Sequence, residues 1–299
     1  MMRRLWLNLA LLLIVIVLAV VAFLEPGSQQ PESRRSLLSL SPAQVTQIQL
    51  QRNGAQTLQI ERVDNGWMIV KPIRIAASDY RIDALLQLLN ATSYASFPLS
   101  ARPLSSFGLD KPSSQVSFNE QTVMFGDNEP LNNRRYILAG DQVQVIDDRY
   151  FYQSQLLLTA LVDAALVPGG RSLKQIKLPG IVLQQHQGVW RATQFPSAET
   201  AEITPDSSDV SALVDEWRSI RALQISEYQS DVPEANIELV FADGETMPLE
   251  ILARDPELIL GRRSLNLRFH FSADQADRLL SLPSRETVAD VPVTHDVAP

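Results

Sequence analysis

Short stretches of strict alternation run through much of this chain. Ile48 and Leu50, then Leu58 and Ile60, alternate with polar residues on either side of Asn53-Gly54, the pattern of two half-buried strands joined by a tight turn. Trp67 to Val70 follows the turn residues Asp64-Asn65-Gly66 and runs into Lys71-Pro72, which predicts a third strand. The period then changes. Ile82, Leu85, Leu86 and Leu89 make a single apolar stripe on a helix opened by Ser78-Asp79. Beyond a serine- and proline-containing connection through Phe107-Gly108-Leu109-Asp110, alternation returns at Val116 and Phe118, Val123 and Phe125, Tyr136 and Leu138, and Val143 and Val145. Those short runs predict an antiparallel meander with one face on a core. Residues 153–166 read as a helix stopped by Val167-Pro168-Gly169-Gly170.

The same order of features recurs downstream. Gln175-Ile176-Lys177-Leu178 answers to Gln47-Ile48-Gln49-Leu50, Trp190 to Trp67, the stripe Val210, Leu213, Val214, Trp217 to the first helix, and Ile237 to Phe241 to the strand at Val116. Asp243-Gly244 marks a hairpin turn, Leu249, Ile251, Leu258 and Leu260 mark strands, and Ser272-Ala273-Asp274-Gln275 is a capping box for a helix through Leu280. The fold class this predicts is α+β: an N-terminal transmembrane helix followed by two similar repeats, each a curved antiparallel sheet with helices packed on one face. The boundaries read as an anchor at 1–24, a flexible tether at 25–36, repeats at 37–170 and 171–283, and a mobile tail at 284–299. Two lobes and one shared sheet both satisfy the pattern.

The anchor rests on an apolar run interrupted only by Asn8. Its apolar positions are Leu5, Trp6, Leu7, Leu11, Leu12, Leu13, Ile14, Val15, Ile16, Val17, Leu18, Val20, Val21, Phe23 and Leu24. A helix of about 20 such residues crosses a hydrocarbon core of about 30 Å. A cleaved signal peptide is the competing reading, with Val20-Val21-Ala22 as a poor cleavage site. Arg3 and Arg4 favour a cytoplasmic N-terminus and a body outside, although Arg34 and Arg35 on the other flank weaken that count.

Charge and composition narrow the chemistry. A formal net charge of -8 argues against general nucleic-acid binding, where Lys and Arg supply most of the affinity. With no cysteine there are no disulfides and no thiol chemistry. Histidine stands only at His186, His270 and His295, without paired-ligand spacing, so neither a metal site nor a Ser-His-Asp triad is expected. Trp67, Trp190 and Trp217 fall on apolar faces and read as core rather than as platforms for sugars. No glycine-rich loop cradles a phosphate, and no cofactor is expected.

The anchor, Gln47-Ile48-Gln49-Leu50, Gly66-Trp67 with Pro72, Asp79 and its apolar helix, Phe107-Gly108-Leu109, then Phe125-Gly126 and Tyr136, come in an order that resembles the bacterial family called domain of unknown function 4340. The resemblance covers roughly residues 37–280. It implies a membrane-anchored extracytoplasmic protein, with some relatives belonging to ABC-transporter and gliding-type envelope systems. No catalytic residues come with it.

The most polar stretch of the first half holds Asp127, Asn128, Arg134 and Arg135, and Arg262 and Arg263 follow Gly261 in a similar place in the second. These six are the candidate interaction surface, against the plainer reading of solvated hairpin loops. The expected protein is an inner-membrane, periplasm-facing binding or scaffold component without enzymatic activity, its partner an envelope or transporter protein. A lipid or glycan carrier is the alternative, and a hydrolase built on paired carboxylates stands behind it. The oligomeric state is not readable.

Overall fold

The computed structural model describes residues 37–64, 66–130, 132–194 and 206–282, together with residues 6, 12–17 and 19–20 near the N-terminus. The described residues form two antiparallel sheets with few and short helices.

The first sheet is built from β1 (Gln47–Arg52), β2 (Leu58–Val63), β3 (Gly66–Lys71), β4 (Ile75–Ala76), β5 (Ala95–Pro98), β6 (Ser114–Phe118), β7 (Gln121–Glu129), β8 (Arg134–Ala139) and β9 (Gln142–Asp147). Its order is β4-β3-β2-β1-β6-β7-β8-β9-β5. Helix α1 (Asp79–Leu86) lies between β4 and β5 in the chain, and α2 (Arg149–Ser154) and α3 (Leu158–Leu161) follow β9. Alternation sets the buried side: Ile48, Leu50, Ile60, Ile69, Val116, Phe118, Val123, Phe125 and Ile137 are all fully buried.

The second sheet comprises β10 (Leu173–Leu178), β11 (Ile181–His186), β12 (Val189–Gln194), β13 (Gln224–Glu227), β14 (Ala235–Phe241), β15 (Thr246–Ala253), β16 (Leu258–Arg262) and β17 (Leu267–Phe271), in the order β12-β11-β10-β14-β15-β16-β17-β13. Helix α4 (Ser207–Ser219) precedes β13 and α5 (Ala273–Leu280) follows β17. Asp206 accepts a hydrogen bond from the Ser208 amide at the start of α4, and Ser272 with Gln275 forms the capping box of α5. Val210, Leu213, Val214 and Trp217 on α4 are buried, and the Trp217 indole donates to the Leu279 carbonyl of α5 at 2.9 Å. A buried indole needs such a partner.

Strand for strand, and leaving β4 aside, the two orders correspond. The hairpins β2/β3 and β11/β12 also share a register: Arg62 faces Trp67 and Val63 faces Gly66, as Gln185 faces Trp190 and His186 faces Val189. Both turn through residues at positive φ, Asp64 at 43° and Gln187 at 49°, the geometry that matches strand twist in a two-residue connection. By compactness the chain divides into one unit of residues up to Thr57 with Asp83–Gln155, and a second of Leu58–Ile82 with residues from Leu156 onward.

The α+β class with an N-terminal transmembrane helix is corrected by these findings. The molecule is mostly β, and no helix among the described residues is long and apolar enough to cross a membrane. Alternation outweighs the helical period along the sequence. The stripe at Ile82 to Leu89 supports only α1 and a following 3-10 turn, and residues 153–166 carry the end of α2 and the single turn α3 rather than one long helix. Two strands, β5 and β13, stand where helix-to-strand connections are expected. Of the apolar N-terminal positions, Leu5, Leu7, Leu11, Leu18, Val21, Phe23 and Leu24 lie outside the described residues. Trp6, Leu12 to Val17 and Val20 are helical and exposed. The expected tether, the expected tail and His295 also lie outside them.

Candidate functional site

The six charged and polar candidates separate once the strands are in place. Arg134 and Arg135 are neighbours on β8, so their side chains leave opposite faces of the sheet. Arg135 goes inward with Ile137. Its Nε meets Asp148 Oδ1 at 2.5 Å, its Nη1 donates to the Gly126 carbonyl at 2.6 Å, and its guanidinium lies 3.6 Å over the Phe151 ring. With side-chain exposures of 10 and 4 per cent, Arg135 and Asp148 form a buried ion pair that ties β8 to α2. Arg134 stacks over Tyr94 at 3.5 Å. Asn128 is exposed and opposite Arg135, and Asp127 is exposed with its carboxylate folded against Gly108, a residue in the left-handed conformation.

In the second sheet Arg263 is exposed and donates to Glu250 at 2.8 Å, whereas Arg262 is half-buried. Burial, and after it the neighbouring Arg171, holds the Arg262 guanidinium below its ordinary pKa. Asp127, Asn128, Arg134 and Arg135 belong to the first unit, Arg262 and Arg263 to the second.

A different set of residues converges on the outer face of the second sheet. β13 pairs with β17 so that Gln224 faces His270 and Ser226 faces Arg268, while Leu267, Phe269 and Phe271 of β17 point to the core. Ser226 Oγ lies 2.7 Å from His270 Nε2, and His270 Nδ1 lies 3.1 Å from Glu257 Oε1. A carboxylate only accepts, so Nδ1 carries a ring proton, and in the neutral ring Nε2 is the atom left to accept from the serine. Arg268 Nε donates to the same Ser226 Oγ at 3.3 Å, and its Nη1 is held by Asp231 at 3.1 Å. Beside this row the Tyr228 hydroxyl donates to Glu250, which also accepts from Arg263. Burial first, then the bond to Glu250, raises the Tyr228 pKa. Burial alone would raise that of Glu250, but the bonds from Arg263 and Tyr228 outweigh it and leave the carboxyl below its usual range. Gly261 makes room for this arrangement. A Cβ there would lie 2.7 Å from the Tyr228 ring and 2.9 Å from Leu252 Cδ1.

The corresponding place in the first sheet is apolar. β5 pairs with β9 so that Ala95 faces Val145 and Phe97 faces Val143, and the amide before each short strand makes the same bond: Tyr94 to the Val145 carbonyl at 2.9 Å, Leu223 to the His270 carbonyl at 2.8 Å. Val143 and Val145 thus occupy the places of Arg268 and His270, and Phe97 that of Ser226. There the segment Leu104 to Leu109 folds over the sheet. Phe107, Leu109 and Val143 form a small core with Met124, Tyr136 and Leu138, and Phe97 stacks on Phe107 at 6.2 Å. In the second sheet the connection from β13 to β14 is shorter and polar, and Ser226, Arg268 and His270 keep part of their surface exposed.

The sequence alone passed over this set. Ser226 and His270 are 44 positions apart, and only the β13/β17 register brings them together. The available signal was alternation on β17, which puts Arg268 and His270 on one polar face. A recess of about 460 Å³ beside α4 and α5 is lined by Ala212, Leu213 and Leu282 together with Glu216, Asp277 and Arg278.

The model of the family described as domain of unknown function (DUF4340) matches this chain over residues 33–101 and 67–250. The chain belongs to that family. No curated protein and no solved structure matches it.

Proposed function

We propose that this protein is an exported component of the bacterial cell envelope that binds a partner protein through the outer face of its second sheet. The observation that carries the reading is the contrast between corresponding positions. Where one sheet buries Val143 and Val145 and stacks an exposed Phe97 on Phe107, the other carries a polar row of Ser226, Arg268 and His270, with the Arg268 and His270 side chains 15 and 13 per cent exposed. Apolar contacts at such positions favour folding, so polar groups kept there with part of their surface exposed suit recognition instead. The envelope location is supported by Arg3 and Arg4 ahead of an apolar run and by the lack of cysteine. A transporter or assembly subunit exposed on the extracytoplasmic side is the partner class we favour.

The test is a photoreactive amino acid at Gln224, the exposed residue opposite His270, in the full-length protein in cells, with mass spectrometry of the adducts. An envelope protein captured from Gln224 but not from exposed Lys174 supports the reading. Equal capture from both positions, or none from Gln224, overturns it.

A further inference from the structure

We propose that Ser226 is a nucleophile, activated by His270 and oriented through it by Glu257, that accepts an acyl group from a carboxylic ester. The proposal rests on the reading of this face as a ligand-facing surface, and it adds a reaction to it. Three observations carry it. The serine hydroxyl, the two imidazole nitrogens and a carboxylate are in series at 2.7 and 3.1 Å, the distances over which a base takes a proton from an attacking oxygen while a third group holds its tautomer. The His270 side chain is 13 per cent exposed, shielded enough to keep its bonds, and Ser226 itself is only partly buried. Arg268, held by Asp231, also donates to Ser226 Oγ at 3.3 Å, a positive charge that eases loss of the hydroxyl proton to His270. The fold does not require any of this, because Phe97, Val143 and Val145 fill the corresponding places in the first sheet.

In the step proposed, the Ser226 oxygen forms a bond to the ester carbonyl carbon, its proton passes to His270 Nε2, and the carbonyl π pair moves onto oxygen. Collapse of the tetrahedral centre breaks the bond to the leaving alcohol, which takes the proton from His270. Water then adds to the acyl-serine with His270 as base, releases the carboxylic acid and restores Ser226. Ser226 and His270 are the catalytic residues, and Glu257 is a positioning residue.

The experiment is labelling of the purified full-length protein by a fluorophosphonate probe. The Ser226 oxygen attacks phosphorus, fluoride leaves, and the proton stays on His270. The expected result is one phosphonyl group per chain at Ser226, none on Ser226→Ala, a rate at least about 100-fold lower for His270→Ala, and about 10-fold lower for Glu257→Gln with recovery in Glu257→Asp. A circular-dichroism melt unchanged from wild type qualifies each variant. Absence of label on the folded wild-type protein, or a His270→Ala rate equal to wild type, overturns the proposal. If Gln224 still captures a partner while no label forms, the nucleophile falls and the binding surface stands. If labelling occurs and no partner is captured, the partner-binding reading falls alone.

Discussion

Removing half of the Arg135–Asp148 pair should unfold the region around β7, β8 and α2 well before any surface change does. Asp148 is 3 per cent exposed, and its carboxylate has Arg135 as its side-chain partner. In Asp148→Asn the guanidinium keeps its bond to the Gly126 carbonyl and its place over Phe151 but loses its carboxylate partner at 2.5 Å. An uncompensated buried charge costs about 3–5 kcal/mol, far above the 0–1 kcal/mol of an exposed pair. Arg135→Met combined with Asp148→Leu removes both charges and should cost less than either single change, which gives a coupling of about 2 kcal/mol or more in a double-mutant cycle. Because the chain divides into two units, whole-chain spectroscopy can merge separate transitions. Hydrogen exchange on peptides from Gln121 to Ser154, followed through a urea series, isolates the unit concerned. A loss below about 1 kcal/mol for Asp148→Asn, or strictly additive single changes, would refute the assignment of Arg135 to the core.

Gly261→Ala should destabilise the second unit by about 1–3 kcal/mol in a thermal melt, because its Cβ meets the Tyr228 ring and Leu252, whereas Gly169→Ala, with open space around it, should change little. Stability should also depend on pH through Glu250. Its folded pKa is depressed, so its contribution is present above the ordinary value of 4.5 and is lost as pH falls through the folded value. The melting-temperature gap between wild type and Glu250→Gln should therefore be wide near neutral pH and narrow as pH falls below 4.5 through the folded value; a constant gap would count against the bonds drawn to Arg263 and Tyr228. Tyr228 acts at the other end. Its raised pKa keeps its contribution complete below 10.0 and removes it as pH rises beyond, a trend that Tyr228→Phe should flatten in alkaline melts.

Much of the sheet architecture is written in alternation. Ile48 with Leu50 and Val116 with Phe118 each mark a strand and its buried face, and the two tryptophan hairpins align by sequence. The short strands are less visible. β5 reads Ala-Ser-Phe-Pro and β13 reads Gln-Ile-Ser-Glu, too few residues and too polar to show a period, and both depend on pairing with a partner strand distant in sequence. Adjacent charge misled in the other direction. Arg134-Arg135 looks like a surface pair, yet parity along β8 puts Arg135 with Ile137 and Ala139 on the buried side, and only the match of Arg135 to Asp148 makes that placement tolerable. The polar row is hidden for a related reason. His270 belongs to an alternating strand, and its partners Ser226 and Glu257 come from a different strand and a loop, so residue spacing carries no trace of them.

The central claim is that this row serves recognition and is not needed for folding. The most direct measurement makes the row apolar, with the valines of the first sheet at Arg268→Val and His270→Val and with Ser226→Ala in the same protein, and records thermal unfolding and the Gln224 photo-adduct on the same material. The account predicts a melting temperature equal to wild type or higher, with the adduct gone. A melting temperature that falls along with the adduct, or an adduct that persists undiminished, would contradict it.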